Sequence, residues 1–223
     1  MTISTVIFDF GETLLCEDRM WARWAAYLGV PAATFRAALD DVIARGEHHR
    51  KAFEHFRPGF DIQAALRERA ANGDVYLYEA VDLYPDARPC LAALRAQRYK
   101  IGIAGNQPIE AERGIRDLDL GADFIVTSAG LGIEKPSPRF FARIAEIAGA
   151  PPAAIAYVGD RLDNDVLPAR AAGMISVFLE RGPWGKIHAR HADARLADIW
   201  LNDLAALPDA LAGFDAVARL KPV

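Results

Sequence analysis

Five short runs are apolar almost throughout: TVIFDF (5–10), KIGIA (100–104), DFIVT (123–127), AIAYVG (154–159) and ISVFL (175–179). A strand with one face in water alternates apolar and polar side chains, whereas a strand covered on both faces has no need to. These runs are of the second kind, and a shorter sixth, DIWL (198–201), follows them. Helical patterns lie between. Residues 86–97 bring Leu91 and Leu94 to one face, and residues 137–148 carry Phe140, Phe141, Ile144, Ile147 and Ala148 at the spacing of a buried stripe. Pro138 stands in the first turn of that second helix, where a missing N–H costs little. A shorter helix over 163–172 stops at Gly173. Strands alternating with helices predict βαβ units, hence an α/β fold with a Rossmann-like parallel sheet and helices on both faces.

The rhythm breaks between the first and second strands. Residues 17–82 contain no convincing strand and read as helices over 18–28, 32–45, about 47–56 and 61–71, punctuated by RPGFD (57–61) and NGD (72–74). The expected organisation is an α/β core from 1–16 and 83–223, interrupted by an all-helical insertion at 17–82. Within the insertion, Trp21, Trp24, Tyr27 and Leu28 fall at helical spacing and are expected to pack its interior.

Composition excludes several classes. A net charge of −4 over 223 residues, with HHRK (48–51) as the longest basic cluster, disfavours a nucleic-acid partner. No apolar stretch approaches the roughly 20 residues of a membrane helix, and no signal-peptide pattern opens the sequence, so a cytoplasmic protein without a membrane partner is expected. The two cysteines, Cys16 and Cys90, lack metal-site spacing. His48, His49 and His55 read as a solvated helical face, and His188 and His191 as surface residues.

Ligands of open parallel sheets bind outside the carboxyl ends of the strands. Four polar marks fall there: Asp9 after the first strand, Asn106 in AGNQ after the second, Lys135 in GIEKPSP after the third, and Asp160 in GDRLDND after the fourth, with Asp163, Asn164 and Asp165 close behind. Two carboxylates, an amide and an ammonium converging on one edge are suited to a divalent cation and an anion together. Hard carboxylate oxygens suit Mg²⁺, which keeps its other positions for water and a phosphate. A lysine then offsets the charge of a phosphoryl group.

The order FDFGETL, IAGNQ, EKPSP, VGDRLDND resembles the haloacid dehalogenase (HAD) superfamily of hydrolases, over essentially the whole chain, and the helical insertion resembles that family's C1-type cap. The resemblance implies a covalent mechanism on a small phosphorylated substrate. Asp9 matches the nucleophile that forms an aspartyl-phosphate. Asp9, the backbone carbonyl of Gly11 and Asp160 match the Mg²⁺ ligands, and Asp165 matches a supporting acid. Lys135 matches the lysine that contacts nucleophile and phosphoryl oxygens, while Gly105 and Asn106 match the phosphate-binding motif.

Two positions depart from the family pattern. Its phosphatases usually carry a second aspartate two residues after the nucleophile, which protonates the leaving group and then activates water; here the residue is Gly11. A glycine still supplies a backbone carbonyl but cannot transfer a proton, and the neighbouring Glu12 is a substitute only if it reaches the substrate. Gly105 stands where a serine or threonine usually binds phosphate, although its N–H remains a donor. Three functions therefore stay open: a Mg²⁺-dependent small-molecule phosphatase, a catalytically weak or inactive protein of the same fold that binds a phosphorylated ligand or a protein partner, and a dehalogenase-like hydrolase, whose halide leaves without a proton.

Overall fold

The computed structural model describes residues 2–220. Its sheet has six strands: β1 Thr5–Phe8, β2 Lys100–Gly105, β3 Phe124–Thr127, β4 Ile155–Gly159, β5 Ile175–Leu179 and β6 Ile199–Leu201. They are all parallel in the order β3-β2-β1-β4-β5-β6. β1 lies inside the sheet, with Ile7 opposite Gly102 on one side and Tyr157 on the other.

The helices are α1 Asp18–Leu28, α2 Ala32–Ala44, α3 Lys51–Phe56, α4 Ile62–Ala71, α5 Ala87–Ala96, α6 Ile109–Asp117, α7 Ser128–Leu131, α8 Pro138–Ala148, α9 Leu167–Ala171, α10 Gly182–His188 and α11 Leu207–Leu220. The strand alternation decides what packs where. Val6 and Phe8 join Leu91 and Leu94 of α5, Ile115 of α6 and Leu207 and Leu211 of α11 in one buried cluster. Ile7 faces the other way and joins Phe140, Phe141 and Ile144 of α8 and Ala169 of α9 in a second. Both faces of the sheet are therefore covered, which is why the strands read as unbroken apolar runs.

The described residues fall into two compact units, one built from residues up to 16 and from 78 onward, the other from 17–77. The second unit is entirely helical and has an aromatic interior of its own. The Trp24 ring meets Phe53 edge-on with centroids 5.1 Å apart, Phe53 stacks on Phe60 at 5.0 Å, and the Arg69 guanidinium lies 4.3 Å from the Trp24 ring centroid. Asp61 caps α4 by accepting the N–H groups of Gln63 and Ala64. Residues 78–82 group with the α/β unit: the Tyr78 ring meets Phe10 edge-on at 5.1 Å, and Cys16 N–H donates to the Asp82 carbonyl.

Elements differ from the sequence expectation where the chain leaves regular geometry. β1 stops at Phe8, although Asp9 N–H still donates to the Val158 carbonyl at 2.8 Å. The helix expected over 163–172 divides into a π-turn, Leu162–Val166, and the short α9, in which Pro168 stands in the first turn. A proline cannot donate to the preceding turn, so a continuous helix through it is disfavoured. Among the described residues no helix is long and apolar enough to cross a membrane.

Candidate active site

The topology reverses at β1, with β2 on one side and β4 on the other, and this is where an open α/β sheet offers a crevice. Asp9 follows β1, Asp160 follows β4, and Gly105 ends β2. Asp9, Asp160 and Asp165 each offer a carboxylate oxygen, and these oxygens lie within 4.8 Å of one another. Lys135 enters from the loop after α7. Its Nζ is 2.8 Å from Asp9 Oδ1 and 2.6 Å from Asp165 Oδ1, and the residue is only 4 % exposed.

The chain also builds the frame of this cluster. Asn106 donates its side-chain amide to the Lys135 carbonyl at 2.9 Å and accepts the Lys135 N–H at 2.8 Å, so its amide group aims the lysine. Asp165 accepts the Arg161 N–H at 3.0 Å, which ties the π-turn back on itself. Two glycines allow the acids to lie close to the strands. A Cβ on Gly105 would sit 2.4 Å from Asp9 Oδ1, and one on Gly159 would sit 2.4 Å from the Asp165 carboxyl carbon. Any larger residue at either place has to displace a carboxylate.

Burial and charge act against each other here. Burial pushes the Asp160 carboxyl well above the usual carboxylate range, reinforced by the Asp165 and Asp9 charges. Asp165 is also raised by burial, against the opposing pull of Lys135. Burial alone would lower Lys135, but the charges of Asp165 and Asp9 outweigh it and hold the ammonium protonated. When all three are ionised, the carboxylates of Asp9, Asp160 and Asp165 outnumber the one ammonium that contacts them. Asp160 Oδ2 is buried without a hydrogen-bond partner. A buried carboxylate oxygen with nothing to bind is costly unless a cation completes it, so these donors fit a hard divalent ion.

Gly11 bridges to Leu15 in the turn after Asp9. Glu12, beside it, has a left-handed backbone (φ 53°) and is 2 % exposed. Its Oε2 accepts the Tyr84 hydroxyl at 2.6 Å. The carboxylate next to the missing acid is thus engaged in holding the turn, a use that sequence spacing does not disclose. His188 corrects the surface expectation: it is 7 % exposed, and its Nδ1 accepts the Leu162 N–H at 3.1 Å. His191 is exposed, as are His48 and His55 in the helical unit.

A family model described as haloacid dehalogenase-like hydrolase matches residues 3–173. The chain is 35% identical over 214 residues to a glyceraldehyde 3-phosphate phosphatase of Methanopyrus kandleri, covering 86% of this chain and 90% of that one. It is 28% identical over 201 residues to a phosphoserine phosphatase of Thermus thermophilus, covering 82% and 71%. Among solved structures, a 2-haloacid dehalogenase from Pseudomonas syringae superposes with a TM-score of 0.60 at 26% identity, covering 96% of this chain and all of the other. The parallel sheet and the ordered motifs carry the same message as a family match spanning most of the sequence: this chain belongs to the haloacid dehalogenase-like hydrolases.

Proposed function

We propose that this hydrolase is a Mg²⁺-dependent phosphatase of small phosphate monoesters, working through an aspartyl-phosphate at Asp9. The observation that carries this reading is Lys135 seated between Asp9 and Asp165, beside Asp160 with its unpartnered oxygen. An oxygen of Asp9 attacks phosphorus in line, the P–O bond to the ester breaks, and the leaving oxygen takes the electron pair. Water then attacks the aspartyl-phosphate, the P–O bond to Asp9 breaks, and inorganic phosphate leaves as the carboxylate is restored. Lys135 offsets charge on the phosphoryl oxygens, and main-chain N–H groups at 105 and 106 donate to them. Asp9, the Gly11 carbonyl and Asp160 would hold Mg²⁺, with Asp165 in support. The bound ion supplies positive charge where the phosphoryl group accumulates negative charge.

Substrate class follows from the relatives. The phosphatase names among them support short phosphorylated metabolites, such as three-carbon phosphates, as the substrate class. The helical unit of residues 17–77 takes the part of the cap that selects the substrate. Gly11 brings no proton to the leaving group, and Glu12 is bound to Tyr84, so esters with acidic leaving groups are the better substrates. The same gap favours a second reading, carbon–halogen cleavage, because halide departs unprotonated; the 26%-identical dehalogenase keeps it in view.

A panel of alkyl, aryl and acyl phosphates and 2-haloacids, assayed with Mg²⁺ and with chelator, decides between them, with Asp9→Asn as the blank. Mg²⁺-dependent phosphate release, abolished by Asp9→Asn and undiminished on aryl esters in Glu12→Gln, is the expected result. Halide release without phosphate release would establish the second reading. No turnover in an intact protein would leave a ligand-binding function of the same fold.

A further inference from the structure

The family match ends at residue 173, yet a segment beyond it touches both loops that carry the acids. Arg181, the residue before α10, donates from Nη1 to the Thr13 carbonyl at 3.1 Å, in the turn after Asp9. Its guanidinium lies 4.1 Å from the centroid of the Tyr84 ring, whose hydroxyl holds Glu12, and it pairs with Asp86. At the other end of α10, Trp184 and His188 stand four residues apart and therefore share a face. The Trp184 ring centroid is 5.1 Å from the Arg161 guanidinium. His188 Nδ1 accepts the N–H of Leu162, the first residue of the π-turn that ends the Asp160 loop and carries Asp165. Burial pushes the His188 imidazole down to about 4, so it is neutral at physiological pH, with a lone pair on Nδ1 for this bond.

We propose that His188 is a positioning residue for the cation site: by holding the Leu162 N–H it fixes the turn that aims Asp160 and Asp165. This rests on the Mg²⁺ reading above. The geometry argues for a dedicated acceptor. The turn has already committed Asp165 to the Arg161 N–H and to Lys135, so neither of those contacts accepts the Leu162 amide. A carbon side chain at 188 would leave a buried N–H unmade, and the turn would relax to satisfy it. Partners that orient metal ligands without touching the ion commonly change affinity by about 10–100-fold when removed.

The test uses the whole chain and two variants. His188→Leu removes the acceptor, and His188→Asn returns one, because an asparagine oxygen occupies nearly the position of Nδ1. Two quantities are read: Mg²⁺ affinity by calorimetry and the exchange rate of the Leu162 amide, with circular dichroism confirming the fold. His188→Leu is expected to weaken Mg²⁺ binding about 10–100-fold and to speed Leu162 exchange, and His188→Asn to restore both to within about threefold of wild type. If His188→Leu binds Mg²⁺ within twofold of wild type, or if His188→Asn is no better than His188→Leu, the positioning role is overturned. A wild-type protein that binds no Mg²⁺ overturns the metal reading itself, and this role with it; in that case the fault shows before any variant is made.

Discussion

Asp160→Asn should make the metal-free protein more stable while removing its response to Mg²⁺. The acid oxygens of Asp9, Asp160 and Asp165 lie within 4.8 Å of one another; at an effective dielectric of about 20 each like-charged pair costs roughly 3.5 kcal/mol. With all three acids ionised, removing one charge relieves two such pairs and forfeits part of the attraction to Lys135, which sets an upper bound on the order of 3 kcal/mol, because the raised Asp160 carboxyl sheds part of that cost by binding a proton. Asp165 is raised as well, to about 6, chiefly by burial and by the Asp9 charge, against the pull of Lys135. In a protein of this size about 3 kcal/mol corresponds to a rise in Tm of at most about 6–12 °C. The pH dependence follows from the same shift. A carboxyl raised in the folded state binds protons there that the unfolded chain has already lost. The metal-free wild type should therefore gain stability as pH falls from 7 through about 6 towards 4, whereas Asp160→Asn should gain less. Mg²⁺ at 100 times its Kd adds about 2.7 kcal/mol to the wild type and should add nothing to the variant. Differential scanning calorimetry in chelator and in Mg²⁺, at pH 5 and 7.5, reads all of this. If Asp160→Asn melts at or below the wild-type temperature in chelator, the buried charge is not strained and the electrostatic argument fails.

Two further substitutions probe the departures from the family pattern. Gly11→Asp places a carboxyl two residues after the nucleophile, and it should raise kcat on alkyl phosphates by about 10²-fold or more and on aryl phosphates far less. An unchanged alkyl-to-aryl ratio would place the proton donor elsewhere. Gly105→Ala would set a Cβ against Asp9 Oδ1 and push the carboxylate off Lys135, with the fold kept because only the end of a side chain must move. Misplacement of a reacting group by about 1 Å can cost about 10²-fold, so kcat should fall at least tenfold with little change in Tm, and an undiminished kcat would show that the contact is immaterial.

β1, β4 and β5 were legible because each is buried throughout and announces itself as an apolar run. The acids were legible because a carboxylate ending such a run has no packing reason to be there. Two helices were harder to read. α10 has the sequence GPWGKIH, in which two glycines and a proline obscure any periodicity, and α6, IEAERGIRD, offers little apolar stripe. His188 was misread for a more general reason. A polar residue looks like a surface residue until the fold supplies its partner, and Leu162 lies 26 residues away. Glu12 illustrates the same limit. Its chemistry could be named from the sequence, but its commitment to Tyr84, 72 residues away, is a property of the folded chain.

The place of β1 in the sheet has a consequence for synthesis. Its two neighbours are β2 and β4, and Thr5 pairs with Lys100 and with Ile155. The strand that carries the nucleophile must therefore remain without either neighbour while about 95 residues of chain are made, which at ribosomal rates of about 5–20 residues per second takes roughly 5–20 s. The helical stretch translated during that interval draws on contacts between consecutive helices, α1 with α2 and α2 with α3, and can gather on its own. TVIF, fully buried in the finished sheet, is thus an exposed apolar strand during the wait, and it is the segment a nascent-chain chaperone would be expected to hold.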